Sequence, residues 1–536
     1  MSEREGNPMS TQTNYDVLVA GAGPVGLTLA IELRLAGIRV LVVERRTEVD
    51  EAGKAGAINT ASAEAFGRRG LLAAMQAREV AMKAGAGPSG PPGAGKRPSS
   101  VGHFGGIQVP ADPVDTDDPS LRGHGPAWYV QVPQVEVERI LGQRAAELGA
   151  EVLRGVEVTG FDPAEDGVTV HLRRIVGDGA GGGDGDVDGD RDVRVGWLVG
   201  CDGGRSLVRK QAGFDFPGTD PTITFRQTEG AVEGAELLAQ GGWQYTPAGV
   251  YVYGPVPGRV RTVELDGPPD DRDTPVTAAE MEASLRRVAG VDVRVTEVTR
   301  GTRFTDNARQ AGSYRRGRVL LCGDAAHVHS PFSGQGLNLG IGDAVNLGWK
   351  LAGTVRGWAP EGLLDSYTSE RHPIGAWVLD WTRAQVAVMR GDAYSGALRG
   401  VVTDFLGTRD GATYYVQRIS GLWQRYDLGG GHPLVGAVLP DLRLDDGSRL
   451  SDHARQGRAL LVDLAGDDRL AALAASYAGR LELVRGRLTG AGGADGAGVS
   501  GLLVRPDGFV AWAAADGGGD LSGLETALTR WLGNGG

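Results

Sequence analysis

The stretch "YDVLVAGAGPVGLTLAIELRLAGIRVLVVE" (15–44) decides how this chain begins to fold. Its ends, "YDVLVA" (15–20) and "IRVLVVE" (38–44), are short continuous apolar runs rich in Val and Ile, as parallel strands buried on both faces require. Between them "PVGLTLAIELRLAG" (24–37) spaces its apolar residues as a helix does and ends at Gly37, a helix-stop signal. The unit is β-α-β. Gly21, Gly23 and Gly26 fill the turn from strand to helix, where glycine permits a tight bend and close approach of a pyrophosphate to the free N–H groups of the helix start. Glu44 ends the second strand 18 positions after Gly26, where a carboxylate can accept ribose hydroxyls. These residues specify a dinucleotide loop without choosing between NAD and FAD.

The same pattern recurs as "GAGPSG" (85–90) and "GAGVSG" (496–501), and context separates the copies. The second follows the helical stretch "LLAAMQAREVAMKA" and runs into Pro91 and Pro92, which leaves no early helix amides to face a phosphate. The third runs into "LLVRPDG", a strand. Both are expected to be loops.

Length and charge narrow the class. A chain of 536 residues exceeds the ~250–300 at which one core stops growing, so two or three domains are expected. Fifty-five basic against 67 acidic residues give a net charge of −12, which opposes attraction to nucleic acid or anionic membrane. The opening "MSEREGNPMSTQTN" lacks the order of a secretory signal, and the apolar run Leu27–Leu35 is interrupted by Glu32 and Arg34, so a cytoplasmic protein without a membrane span is expected. Cys201 and Cys322 are too few for a disulfide framework and read as small buried hydrophobes. No metal constellation is present.

Gly-rich stretches at 85–100 and 177–192 should be loops; the latter alternates Asp with Gly but lacks the fixed order and terminal Glu of a calcium loop. "WLVGCDGGRSLVRKQAG" (197–213) and "RGRVLLCGDAAHVHSP" (316–331) each run from a strand through a Gly/Asp turn toward a helix. Residues 214–295 suggest an antiparallel sheet, 361–425 long helices, and the last hundred or so a strand-rich α/β unit.

"GAGPVG…ER", "GCDGGRSLVRK" and "GDAAHVHSPFSGQGLNLGIGDAVNLGWKLA" stand in the order seen in the class A flavoprotein monooxygenases, and the chain resembles that family along nearly its whole length. "GHFGGI" (102–107), "FDFPG" (214–218) and "YDLGGGHPLVG" (426–436) make it similar to hydroxylases of aromatic polyketides such as angucyclines and anthracyclines, with rifampicin monooxygenases close by. The resemblance implies an α/β chain with a Rossmann-like FAD-binding domain of glutathione-reductase type (14–213 and 296–400). An inserted antiparallel β-sheet substrate domain (214–295), a helical connection (401–431) and a thioredoxin-like C-terminal domain (432–536) complete it. With no cysteine after Cys322, that last domain cannot run dithiol chemistry.

By the same resemblance Gly21, Gly23, Pro24, Val25, Gly26, Glu44 and Arg45 bind the ADP half of FAD, Gln134 and Arg139 contact the cofactor, and Asp324 bonds its ribityl chain. Asp202 and Arg205 belong to a motif serving both FAD and NADPH pyrophosphates, with a structural ion pair capping a turn as their alternative. Pro331, Gly334, Gly336, Leu337 and Asn338 lead into a helix whose entry amides could stabilise negative charge on the reduced flavin. Lys54 and Ala61 stand where relatives often carry Arg, and Lys is the poorer planar donor. His327 and His329 read as packing or supporting residues. Trp243, Tyr245, Tyr251 and Tyr253 are candidates for the wall of a substrate pocket, with sheet packing as the alternative.

The implied reaction takes reducing equivalents from NADPH in preference to NADH, and a flavin C4a-hydroperoxide transfers one oxygen atom to a polycyclic aromatic polyketide in antibiotic biosynthesis. Baeyer–Villiger oxygenation of a polycyclic ketone, drug-inactivating hydroxylation, and a flavoprotein that merely oxidises NADPH remain open. So does monomer against homodimer. No side chain is assigned as catalytic. A halogenase is disfavoured because its W-x-W-x-I-P motif is absent.

Overall fold

A computed structural model describes residues 14–51, 55–85, 99–124, 129–175, 190–254, 256, 258–269, 274–489, 498–515 and 521–535. The two Gly-rich stretches fall mainly at 86–98 and 176–189, Lys54 at 52–54, and the start of the third glycine copy at 490–497, all outside the described residues.

The opening stretch forms strand β1 (Tyr15–Ala20), helix α1 (Pro24–Leu35) and strand β2 (Val40–Glu44). Helix α1 stops where Gly37 adopts φ +73°, its N–H bonding the Arg34 carbonyl while that of Ile38 bonds the Leu33 carbonyl. This left-handed closure is what the glycine is needed for. Five parallel strands follow in space as Glu151–Arg154, β2, β1, Arg191–Gly200 and Val319–Leu321. Numbered along the chain that order is 3-2-1-4-5, which reverses between β1 and Arg191–Gly200 and opens a crevice at the strand ends there. Val17, Leu18, Val19, Leu198 and Val199 are fully buried, which explains why the strands read as unbroken apolar runs. Helices α1, Gln134–Glu147 and Gln335–Val355 pack together, and Gly348 lets the last lie against Glu32, since a Cβ there would sit 2.4 Å from that side chain's Cβ.

A second sheet is wholly antiparallel: Gln244–Thr246, Gly249–Tyr253, Arg259–Glu264, Thr224–Glu233 and Arg294–Thr305. Strand alternation gives it two faces. One bears Phe225, Val250 and Val263, packed with Phe332, Val386 and Met389. The other bears Tyr251 and Val260 beneath the helix Ala278–Ala289. That helix starts on Thr277, whose hydroxyl accepts from the Glu280 N–H, and ends at Gly290 with φ +70°. It buries Met281, Ser284, Leu285 and Val288, and each large apolar one is worth roughly 1.5–3 kcal/mol. The helical region resolves into Ser366–Met389, Ala393–Leu406 and Arg409–Ser420.

The last sheet runs Leu481–Arg485, Ala459–Asp463, Val499–Val504, Val510–Ala515. Its first pair is parallel across the helix Asp468–Ala475, the other pairings are antiparallel, and Ser522–Leu532 closes the unit. A buried ionic cluster ties it to the rest. Arg505 holds Glu370 through Nη1–Oε1 (2.8 Å) and Nη2–Oε2 (2.7 Å) and also pairs with Asp507, while Lys350 Nζ reaches Glu370 Oε2 at 2.7 Å. Burial alone would raise the Glu370 carboxyl, yet Arg505 and Lys350 outweigh it and hold it at about 2. Among the described residues no helix is long and apolar enough to cross a membrane.

Candidate active site

A cavity of about 890 Å³ opens at the sheet's reversal point and extends to the antiparallel sheet. Its near wall is the glycine turn. Gly21 has φ +109°, and a Cβ there would lie 2.3 Å from the Cys201 carbonyl oxygen; a Cβ on Gly26 would lie 2.0 Å from the Gly21 oxygen. Neither contact is with a flexible side chain, so only glycine fits. Gly23 has no atom within 4 Å of where its Cβ would stand and presents open backbone to the cavity. Gly23 caps α1, Pro24 occupies its first turn, and no acidic residue stands there to neutralise the helix end. Glu44 braces the turn: its Oε2 accepts from the Ala22 N–H (2.9 Å) and its Oε1 from the Arg46 N–H (2.9 Å). A phosphate-bearing cofactor fits this cradle.

The far wall begins where Val319–Leu321 ends. Asp324 is exposed into the cavity, while Gly323 (φ +65°) and Gly340 form a notch filled by Val25; a Cβ on Gly340 would sit 2.6 Å from its Cγ2. Gly334 (φ +61°) turns the chain into the helix Gln335–Val355. The Asn338 side chain is committed to this turn, donating to the Gly334 carbonyl (2.8 Å) and accepting from the Asn59 N–H (2.8 Å). Behind the wall lies a fully buried carboxylate, Asp343. Its Oδ2 meets His327 Nε2 (2.6 Å) and the Gly323 N–H (3.2 Å), and its Oδ1 accepts from Arg371 Nε (2.8 Å). Burial would raise this carboxyl, but His327 and Arg371 hold it below the usual range. His329 lines the cavity itself. It donates Nδ1–H to the Ser330 carbonyl (2.8 Å), leaving the Nε2 lone pair without a partner among the described residues, and burial lowers its pKa.

Of the residues singled out from sequence, Gly23, Pro24, Val25, Gln134, Arg205, Asp324, Pro331, Gly334, Gly336, Leu337, Asn338 and Trp243 line one cavity. Others stand elsewhere. Arg139 is exposed on the outer face of the helix Gln134–Glu147, paired with Glu51 and Glu136. Arg45 is exposed beyond β2 and does not line the cavity. Asp202 accepts from the Leu207 (2.7 Å) and Val208 (3.1 Å) N–H groups with Oδ2, capping the short helix Leu207–Gln211. The four aromatics divide. Tyr251 and Tyr253 pack on the helix face, opposite to the cavity, because their parity matches Gln244 and not Tyr245. Tyr245 lies on the cavity side but points its OH at the Gly105 carbonyl (2.6 Å) under the Arg399 guanidinium, so only Trp243 of the four reaches the cavity. Both cysteines line the cavity, Cys322 buried and Cys201 half-buried.

The sheet half of the cavity was less visible in the sequence. Phe225, Trp243, Phe304 and Phe332 form its apolar wall, with Phe332 edge-on to both Phe225 (5.9 Å) and Trp243 (6.0 Å). His103, in the hairpin Ser100–Phe104 and Ile107–Pro110, packs on Trp243 at 4.7 Å. Burial, with the Arg261 charge adding to it, pulls its imidazole down to about 4, and its Nδ1 accepts from the Gly106 N–H. The cue for Phe225, Gln227 and Arg261 was strand parity, which puts them on the face opposite Tyr251.

A nucleotide cradle on a Rossmann sheet, continuous with an aromatic-walled chamber, defines a flavoenzyme that brings an apolar substrate to its cofactor. Residues 14–382 match the family model "FAD binding domain" and 432–535 match "Aromatic-ring hydroxylase, C-terminal", and the chain belongs to this family of FAD-dependent aromatic-ring monooxygenases. It is 39% identical over 535 residues to a 12-dehydrotetracycline 5-monooxygenase/anhydrotetracycline 6-monooxygenase of Streptomyces rimosus subsp. rimosus, covering 97% of this chain and 99% of that one. It is also 37% identical over 526 residues to a dialkyldecalin synthase of Streptomyces rugosporus, covering 96% and 98%. Among solved structures, CabE, an aromatic hydroxylase from angucycline biosynthesis, superposes with a TM-score of 0.82 at 34% identity over 98% of this chain and 100% of that one.

Proposed function

We propose that this protein hydroxylates a polycyclic aromatic substrate of polyketide type, using NADPH and O2. The observation that carries the reading is the single cavity joining the glycine turn and the Asp324 wall to Phe225, Trp243, Phe304 and Phe332. Bound FAD supplies the activation of O2 for transfer of one oxygen atom, and the chain's own residues bind, orient and exclude water. In this reading Gly23, Pro24 and Arg205 take the pyrophosphate, Glu44 the ribose, and Gln134 and Asp324 the ribityl chain. The entry of the helix Gln335–Val355, preceded by Pro331–Gly334, faces the ring system, where its N–H groups favour negative charge. His329 Nε2, on an imidazole whose pKa burial lowers, offers its lone pair as a hydrogen-bond acceptor at the cavity wall. The aromatic wall keeps the chamber dry, which strengthens each of these interactions. Since Arg139 is already paired with two glutamates, we assign it no cofactor contact.

The C-terminal unit reads as thioredoxin-like, supported by its parallel β-α-β followed by an antiparallel hairpin and a helix. We assign it a structural role anchored through Arg505. A panel of polycyclic phenols and quinones, scored for stimulated NADPH oxidation with product connectivity by NMR, tests the function. Hydroxylation of a ring carbon supports it, and ring expansion to a lactone would replace it with the Baeyer–Villiger reading.

A further inference from the structure

We propose that Arg261 anchors a planar pair of oxygens sharing one negative charge, so that the substrate is a polycyclic aromatic bearing a carboxylate or the ionised enol of a β-dicarbonyl. This rests on reading the cavity as the substrate site of a polycyclic hydroxylase. Arg261 lies on the strand Arg259–Glu264, in register with Gln227 and Val252, on the face that lines the cavity. Its neighbours are ion-paired: Arg259 with Glu229, while Arg226, Arg287 and Arg303 share the two carboxylates of Glu264 and Glu280. Arg261 makes no such pair, and the Glu229 charge that acts on it from nearby is already bonded to Arg259. Among the described residues its one hydrogen bond runs from Nε to Gln227 Oε1 (2.8 Å), and neither Nη group has a protein acceptor.

A guanidinium held beside Phe225, Trp243 and Phe304 has given up part of its hydration, and burial lowers its pKa accordingly. Such a group is costly unless an anion meets it. With Nε fixed by Gln227, both Nη groups form a fork whose spacing suits two coplanar oxygens. A neutral phenol would satisfy one donor and leave the charge uncompensated. His103 does not compete for the anion as a second cation, because it stays neutral well below physiological pH.

The test uses the FAD-loaded full chain at neutral pH, with ligand affinities measured by calorimetry. The probes are anthraquinone-2-carboxylate against its carboxamide, and ionised 2-acetyl-1,3-indanedione against its enol methyl ether. At least one anion is expected to bind tighter than its neutral partner by on the order of 10- to 100-fold, the worth of a charge-assisted pair. The arm with the larger gap identifies the oxygen function. Arg261→Met should collapse that gap with FAD content unchanged, while Arg261→Lys should keep part of it. Equal binding of anion and neutral partner by the natural chain, or a gap that survives in Arg261→Met, overturns the inference; if neutral polycycles are still hydroxylated, the function stands. If no probe binds and no polycycle is oxygenated, both fall.

Discussion

Replacing Asp343 with Asn should loosen the cofactor site from behind, without touching any residue that lines it. Asp343 is 0% exposed and accepts from Arg371 Nε and the Gly323 N–H while meeting His327, so it joins the helix Gln335–Val355 to the turn that carries Asp324. The Arg371 guanidinium is 1% exposed; its other bonds go to neutral acceptors, the Leu339 carbonyl (3.0 Å), Gln424 Oε1 (3.0 Å) and Tyr426 OH (3.1 Å). The neutral amide introduced by Asp343→Asn would leave that charge buried and unneutralised, a loss of about 3–5 kcal/mol. With a urea slope of roughly 3 kcal/mol/M the unfolding midpoint falls by about 1–2 M. FAD should also be retained less tightly, because the Gly323 N–H loses its charged acceptor beside Asp324. Urea titrations followed by flavin fluorescence measure both effects. The carboxyl sits below its ordinary value of 3.8, so its contribution is complete above that pH and is lost as acid protonates it in the folded state; the gap between natural chain and variant should narrow there. A midpoint shift below about 0.3 M at neutral pH, with FAD affinity unchanged, would refute the reasoning.

Gly26→Ala places a Cβ 2.0 Å from the Gly21 oxygen, and the purified variant should carry no FAD by absorbance; a yellow, fully loaded variant would contradict the cradle. Glu370→Gln should release the C-terminal unit, seen as faster proteolytic cleavage within 432–536. The Glu370 carboxyl at about 2, against an ordinary 4.5, contributes about 3 kcal/mol of stability. That contribution is present above pH ~4.5 and lost as pH falls toward 2, so the variant's stability should vary less over that window.

Much of the nucleotide half was legible because its constraints are local. Gly26 is needed by the Gly21 oxygen a few residues before it and Gly37 by its own positive φ, while Gly21 answers both to its positive φ and to the distant Cys201 carbonyl; unbroken apolar runs announce buried parallel strands. The substrate half depends on strand parity and on pairing between distant strands. Tyr251 and Tyr245 look alike in the sequence yet face opposite sides, since the turn between their strands sets Tyr245 against Val250. Arg139 had the motif position but not the location, because on that helix it pairs outward with Glu51 and Glu136. Asp343 and Arg371 carry no motif at all. They are 28 residues apart and become a pair only when two long helices pack.

The central claim is that oxygen from O2 enters the product, and membership of a family that includes a dialkyldecalin synthase makes this the point to measure. Turnover of a polycyclic substrate by the FAD-loaded protein with NADPH under 18O2 should yield product carrying one labelled oxygen on a ring carbon. Product formed without label, or NADPH consumed with substrate returned unchanged, would contradict the account.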